Sequence, residues 1–272
     1  MIIEAAPAKL NLALHVREKR ADGFHEIETL FAFVEFGDEV RVAEADAPSF
    51  TVSGPFAAAL AGEGDNLVTR AAVAFREAFG GGEHAIELVK NLPIASGLGG
   101  GSADAAATLR ALARLYGVVL YDPLLFACAD GLGSDVPACL YGMTAIGRGR
   151  GEKLEPIDGA PGVPVLLVNP LVAVSTPQVF AGWDGVDLGG LPEGRLGVIV
   201  HDGRNDLQVS ARAIAPEIDE VLDVLGDQPG VLLSRMSGSG ATCFALFERA
   251  EDCAAAQRAI WPEWWSLATR LA

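Results

Sequence analysis

Basic residues are scarce: 20 Lys+Arg stand against 36 Asp+Glu, a formal net charge of −16. That balance excludes non-specific binding to nucleic acid or an anionic membrane as the main role. It still admits an anionic small molecule, because a local lysine or a helix N-terminus suffices to hold one. Cysteine is scarcer still. Cys128, Cys139, Cys243 and Cys253 form no C-x-x-C pair and none sits at zinc-ligand spacing from a histidine, so four buried thiols in a reducing compartment are expected. No basic stretch precedes the opening MIIEAAPAKL, no apolar run reaches transmembrane length, and no N-x-S/T sequon occurs. The expectation is a soluble, cytoplasmic protein without nucleic-acid or membrane partners; oligomeric state is left open.

The material for a core is ample. Half of the 272 residues are hydrophobic, which excludes intrinsic disorder and allows one large or two modest domains. Strands are predicted at Leu10–Val16, at Leu30–Glu35 and Glu39–Glu44 joined by a turn at Gly37-Asp38, and at His84–Val89. Asp65 is expected to cap a helix to about Phe79, with Val68, Ala71, Ala72 and Phe75 on one face and glycines 80–82 as its stop. A second helix is predicted from Ser102 to about Tyr116, ended by Gly117. Residues 147–164 read as a linker, which suggests domains 1–155 and 156–272. The second half reads as a strand at Val165–Val168, an irregular connection over 182–203, a helix at Ala215–Leu225, strands at Val231–Met236 and Thr242–Phe247, a helix at Glu251–Ile260 and a last strand at Trp264–Ala268. Mixing of strands and helices without regular βαβ alternation predicts an α+β fold.

The strongest local signal is PIASGLGGGSAD, residues 93–104, between a strand and a helical segment. Its glycines allow positive φ and close approach of a phosphate to backbone amides, and the following helix directs its free N–H groups and dipole at that phosphate. The bland alternative is a tight strand-to-helix turn. Walker A is excluded, because no Gly-Lys-Ser/Thr ends the loop, and the dinucleotide fingerprint fails at Ser102, where its third glycine belongs. The protein-kinase glycine loop fails at the same place, H-R-D and D-F-G are missing, and no G-x-S-x-G supports a serine hydrolase. Ser102 either caps the helix or offers its hydroxyl to a phosphate or to Mg²⁺. Lys9 is either a strand-edge residue or a cation near a developing alkoxide. Asp135 is either a helix N-cap or a carboxylate that accepts a hydroxyl proton. His25 is a loop histidine or a reader of a base edge. Ser237-Gly238-Ser239-Gly240 is a plain turn or a second anion nest. His15, His84 and His201 form no metal cluster and read as structural or solvated.

Three separated segments, PAKLNLALHV, PIASGLGGGSADAA and MSGSGATCFALF, resemble the three signature motifs of the GHMP kinases. Further segments, RADGFHEIETLF, GSDVP and STPQVF, are similar to a branch of that family that acts on a cytidyl diphosphate-linked alcohol. The resemblance implies a two-domain α+β fold with the active site in the interdomain cleft, and ATP- and Mg²⁺-dependent phosphorylation of a hydroxyl of that small molecule. It implies Asp135 as base and Lys9 as assisting cation. It places Pro93, Gly97, Leu98, Gly99, Gly100, Gly101 and Ser102 at the phosphates and Asn66, Leu67 and Lys90 near the nucleotide. Asn11, Phe24, His25, Thr176 and Phe180 fall at positions that hold the acceptor and its cytosine. Two positions depart from the family pattern: Phe24 where tyrosine is common, and Ala103 where a second serine is often found. Stacking survives the first change, although a phenol hydrogen bond does not. The alternatives are another GHMP kinase of homoserine or mevalonate type, a non-catalytic nucleotide-binding protein, or a dinucleotide-dependent oxidoreductase.

Overall fold

The computed structural model describes residues 1–60 and 65–272. The chain divides into two compact units. The first comprises Met1–Ala8, Phe36–Ile94 and Gly99–Gly142; the second comprises Lys9–Glu35, Ala95–Leu98 and Met143–Ala272. These units are not the consecutive segments 1–155 and 156–272, because the strands β1 (Ile2–Lys19) and β2 (His25–Ala45) each run from one unit into the other.

β2 is a single strand where a turn at Gly37-Asp38 was expected. Gly37 is there for contact: a Cβ at this position would lie 2.0 Å from the Ala6 carbonyl oxygen, so only glycine lets the backbones approach so closely. In the first unit β3 (Ser49–Ser53) pairs parallel with β4 (Glu83–Val89), and β4 pairs antiparallel with the end of β2, Val42 opposite Ile86. A 3-10 turn occupies Ala57–Leu60. The helices α1 (Leu67–Phe79), α2 (Gly100–Tyr116), α3 (Pro123–Leu132) and α4 (Val136–Tyr141) pack on one another, α1 against α2 and α3, and α2 against α4.

Capping sets the helix ends. The cap of α1 is Asn66 rather than Asp65: its side-chain oxygen accepts from Val68 N (2.9 Å) and Thr69 N (3.1 Å), while Thr69 Oγ1 accepts from Asn66 N (3.2 Å). This reciprocal box satisfies three otherwise orphaned donors. Gly117, at φ +70°, ends α2. A run of alanines in α2 is buried nearly all round, so its neighbours pack close to its backbone.

In the second unit β2 pairs antiparallel with β5 (Ala145–Gly149), and β5 with β6 (Lys153–Pro156). The segment expected as a linker is therefore largely a hairpin. Its glycines mark the turn, with Gly149 at φ +75° and Gly151 at +113°. A four-stranded antiparallel sheet follows the order β10 (Trp265–Arg270), β7 (Pro164–Asn169), β9 (Cys243–Phe247), β8 (Val231–Met236). Short helices α5 (Thr176–Ala181), α6 (Leu196–Asp202) and α7 (Gln208–Ile214) precede α8 (Glu217–Gly226) and α9 (Ala250–Ala259). Leu166, Val168, Ala211, Ile218, Val221, Leu225, Met236, Phe247 and Cys253 share this unit's core. The connection 182–203 carries α6, which its glycines concealed. Among the described residues no helix is long and apolar enough to cross a membrane.

Candidate functional site

The glycine-rich segment is where the chain passes from the second unit into the first. Ala95 (φ +52°), Gly97 (+77°) and Gly99 (+64°) are left-handed. At Gly97 glycine is required twice over, since a Cβ would also lie 2.5 Å from the Ser237 carbonyl oxygen and 2.8 Å from that of Gly240. Ser237 Oγ donates to Gly97 O (3.1 Å), and Thr242 N donates to Ser96 O (3.0 Å). The Ser237–Gly240 turn thus braces the segment 95–98. Asn205 holds that turn in place by donating to Met236 O and Gly238 O, both at 2.8 Å.

Gly99 is the N-cap of α2 and supplies no side-chain cap, so Ser102 lies in the helix's first turn and does not cap it. No acidic residue occupies that turn, which leaves the positive end of the dipole suited to an anion. Pro93 is buried, and so is the side chain of Leu98, whose carbonyl accepts from Lys9 N at 2.9 Å. Leu67, which opens α1, has its Cδ1 3.5 Å from where a Cβ of Gly101 would stand.

Lys90 is buried under the start of α2. Its ammonium donates to Asp38 Oδ2 (2.5 Å) and Asp104 Oδ2 (2.7 Å), and lies 3.1 Å from where a Cβ of Gly100 would be. Asp38 Oδ1 accepts from Asn91 N (2.6 Å) and Leu92 N (2.8 Å), whereas Asp104 Oδ1 has no hydrogen-bond partner among the described residues. Burial pushes the Asp104 carboxyl up to about 8 against the opposing pull of Lys90. For Lys90, burial opposes the charge, but the carboxylates of Asp104 and Asp38 outweigh it and hold the ammonium above its ordinary range. Lys90, expected near the nucleotide, is thus part of a buried Asp38–Lys90–Asp104 cluster rather than an exposed charge.

In the second unit Lys9 Nζ donates to Asn11 Oδ1 (2.7 Å) and stands 5.4 Å over the Phe31 ring. Asn11 Nδ2 donates to Thr29 Oγ1 (2.7 Å), which donates to Ala13 O (2.7 Å); Asn11 N donates to Ser237 Oγ (3.2 Å). Every member of this chain is buried, so the lysine ammonium has a fixed position. In the first unit Asp135 occupies the N-cap position of α4 yet makes no capping hydrogen bond. The N-cap position read from the sequence is thus correct, without a side-chain capping hydrogen bond.

Of the expected acceptor residues, His25 and Phe180 come together, ring centroids 5.0 Å apart and tilted by 33°. Trp183 meets the same imidazole edge-on, at 5.7 Å and 85°. Burial, with the nearby Lys19 charge adding to it, holds His25 below the usual histidine range, so the ring is neutral and offers one donor and one acceptor. Thr176, first residue of α5, shares a hydrogen bond with Ser239 Oγ at 2.7 Å. Phe24 is half exposed beneath the Arg150 guanidinium, 5.0 Å from its ring centroid.

Sequence reasoning missed four supporting residues: Thr29, Asn205, Arg235 and Trp183. Arg235 is buried and donates to the carbonyls of Leu12 (2.5 Å), Val200 (3.0 Å) and Gly203 (2.5 Å), tying β1 to β8 and α6; burial lowers its guanidinium to about 10. Thr29, Asn205 and Arg235 carry no local sequence signal for these roles, because the partners that define them lie 16 or more positions away in the chain. For Trp183 the signal was an aromatic three residues beyond Phe180 in a protein with few aromatics.

Two family models match the chain: GHMP kinases N terminal domain over residues 66–143 and GHMP kinases C terminal over residues 194–267. A Rhizorhabdus wittichii protein named 4-diphosphocytidyl-2-C-methyl-D-erythritol kinase is 53% identical over 98% of this chain and 94% of its own. A crystal structure of 4-(cytidine 5'-diphospho)-2C-methyl-D-erythritol kinase superposes with a TM-score of 0.84 at 36% identity, covering 100% of this chain and 99% of that one. A homoserine kinase from Cytophaga hutchinsonii, 20% identical, matches with a TM-score of 0.71 over 99% of this chain and 94% of its own, a likeness of fold.

Proposed function

The chain belongs to the GHMP kinases, and on that premise we propose that it transfers the γ-phosphoryl group of ATP to the 2-hydroxyl of 4-(cytidine 5'-diphospho)-2-C-methyl-D-erythritol, a step toward isoprenoid precursors. The observation that carries this reading is the 53% identity over 98% of the chain with a protein bearing that kinase name. The neutral His25 beside Phe180 supports it, since an unprotonated ring nitrogen can accept from the exocyclic amino group of an aminopyrimidine and Phe180 offers a flat apolar face.

Phosphoryl transfer asks the protein for positioning and charge stabilisation rather than covalent chemistry. Asp135 takes the proton of the attacking hydroxyl, and Lys9, oriented by Asn11 and Thr29, supplies positive charge for the developing alkoxide. The amides of residues 97–102 and the N-terminus of α2 hold phosphate oxygens. Asn66 and Leu67 lie near the nucleotide at the start of α1, and Lys90 acts from beneath Gly100 by fixing the beginning of α2. Phe24 and Phe180 flank the cytosine, His25 reads its edge, and Thr176 and Asn11 complete the acceptor site. Among the described residues no group of three or more His, Cys, Asp or Glu forms a metal cage. A Mg²⁺ bound with the ATP phosphates would neutralise charge on the transferring group, and Ser102 offers a hydroxyl toward it.

The test is ADP release by the purified protein with ATP and Mg²⁺, comparing the cytidyl acceptor with homoserine, mevalonate and no acceptor. Turnover with the cytidyl acceptor alone is expected. Turnover with homoserine or mevalonate instead refutes the acceptor assignment, and ATP binding without turnover on any acceptor refutes the kinase.

A further inference from the structure

His25 is the residue on which recognition of the base turns, yet the ring contacts of its imidazole come from residues about 155 positions away in the chain. The Phe180 ring lies 5.0 Å from the imidazole at a 33° tilt, and Trp183 meets it nearly at a right angle. No hydrogen bond to a described residue holds either ring nitrogen, and the two aromatic neighbours limit the ring's rotation. A tilted Phe180 fixes the plane loosely. The indole, 5.7 Å away and at 85° to the imidazole, is a second aromatic contact that restricts how the ring can turn.

The indole is itself anchored. Trp183 N donates to Phe180 O (3.2 Å), and Gly182 N to Gln178 O (3.1 Å), closing the end of α5. Ser210 Oγ of α7 donates to Val179 O (2.7 Å), and a Cβ at Gly182 would lie 2.2 Å from that hydroxyl. The α5 terminus is thus pressed onto α7. Phe180 and Trp183 both pack against the core of the second unit. Trp183 is half-buried and lies outside every motif that identified the family.

We propose that Trp183 is a positioning residue for His25, holding the imidazole at a fixed orientation so that one unprotonated ring nitrogen accepts from the exocyclic amino group of the acceptor substrate's aminopyrimidine. This rests on the cytidyl-acceptor reading above. The neutral state of His25 serves the same end, since a protonated ring offers two donors and no acceptor.

The experiment measures kcat and KM for the cytidyl acceptor, for its uridyl counterpart and for ATP in wild type, Trp183→Ala, Trp183→Leu, Trp183→Phe, His25→Ala and the His25→Ala/Trp183→Ala pair. An edge-on aromatic pair corresponds to a roughly three- to tenfold change in affinity. Trp183→Ala and Trp183→Leu are therefore expected to raise the cytidyl KM by that factor, with kcat and the ATP KM unchanged, and to lower the cytidyl-over-uridyl preference. Trp183→Phe restores most of both. On the His25→Ala background the tryptophan change adds nothing. An unchanged cytidyl KM, an equal loss on both acceptors, or additivity of the two changes overturns the proposal; Trp183→Leu and Trp183→Phe decide it should the alanine variant not fold. A wild type that ignores the cytidyl acceptor overturns instead the reading on which the proposal rests.

Discussion

Lys90→Met removes a charge from the Asp38–Lys90–Asp104 triad while keeping most of the side-chain stem. The three side chains are 0–4% exposed, so solvent screens them little. Without the ammonium, Asp38 keeps two backbone donors, but Asp104 Oδ1, already unpartnered, gains nothing. Removing one partner of a buried ion pair costs about 3–5 kcal/mol, and in a chain of this length each kcal/mol lowers Tm by about 2–4 °C. Thermal and urea melts should therefore show a Tm lowered by roughly 6–20 °C. The triple variant Lys90→Met, Asp38→Asn, Asp104→Asn no longer buries unpaired charge and should recover more than half of that loss. Asp104→Asn alone should cost little at neutral pH, because the native carboxyl is largely protonated there. Its pH dependence has a definite sign. The folded carboxyl titrates near 8 against an ordinary 3.8, so the native state holds the proton more tightly. Its contribution is complete below about pH 4 and is lost as the pH rises toward 8. The stability of wild type relative to Asp104→Asn should decline across that window. A Lys90→Met variant within about 1 kcal/mol of wild type, or a triple variant no more stable than the single one, refutes the reasoning.

Three further outcomes are expected. Asp135→Asn should keep ATP binding, measured by calorimetry, and lower kcat by a factor on the order of 10²–10⁴; near-normal turnover removes Asp135 from the base role. Gly97→Ala and Gly117→Ala both place a side chain at positive φ, which costs about 1–2 kcal/mol, but a Cβ at Gly117 meets nothing within 4 Å while one at Gly97 meets the Ser237 oxygen. Only Gly97→Ala should add a further loss of Tm and raise the ATP KM, and equal effects of the two contradict the bracing of the loop by the 237–240 turn. His15 accepts from Arg204 N (3.1 Å) and its Nδ1 faces Gly189 O (3.2 Å); burial and then the Arg204 charge lower its pKa. Its contribution is present above the ordinary value of 6.5 and is lost as the pH falls below it, so wild type should lose urea stability below that value more steeply than His15→Gln, and identical slopes argue against the neutral-ring assignment.

The family, the α+β class and the positions of most elements were determined by the sequence alone, because their causes are local. A capping residue, a glycine at the end of α2, a helical stripe and alternating β4 residues act through neighbours a few positions away. The motifs carried Lys9, Asp135 and the glycine loop for the same reason, since chemistry constrains short segments. The cap of α1 lay one residue from its expected place, within the ordinary raggedness of helix ends. What lay beyond the sequence was settled by atoms distant along the chain. Gly37 lies within β2 rather than in a turn, and it is glycine because the Ala6 carbonyl leaves no room for a Cβ. Residues expected to form a linker pair as β5 and β6 because β2 offers β5 an edge. The burial of Lys90 between two carboxylates, 52 and 14 positions away, has no signal in its own segment. Trp183 had no role until it met His25. Local propensity writes itself into neighbouring residues, but burial, charge pairing and ring packing depend on which distant groups share a volume, and only the folded chain decides that.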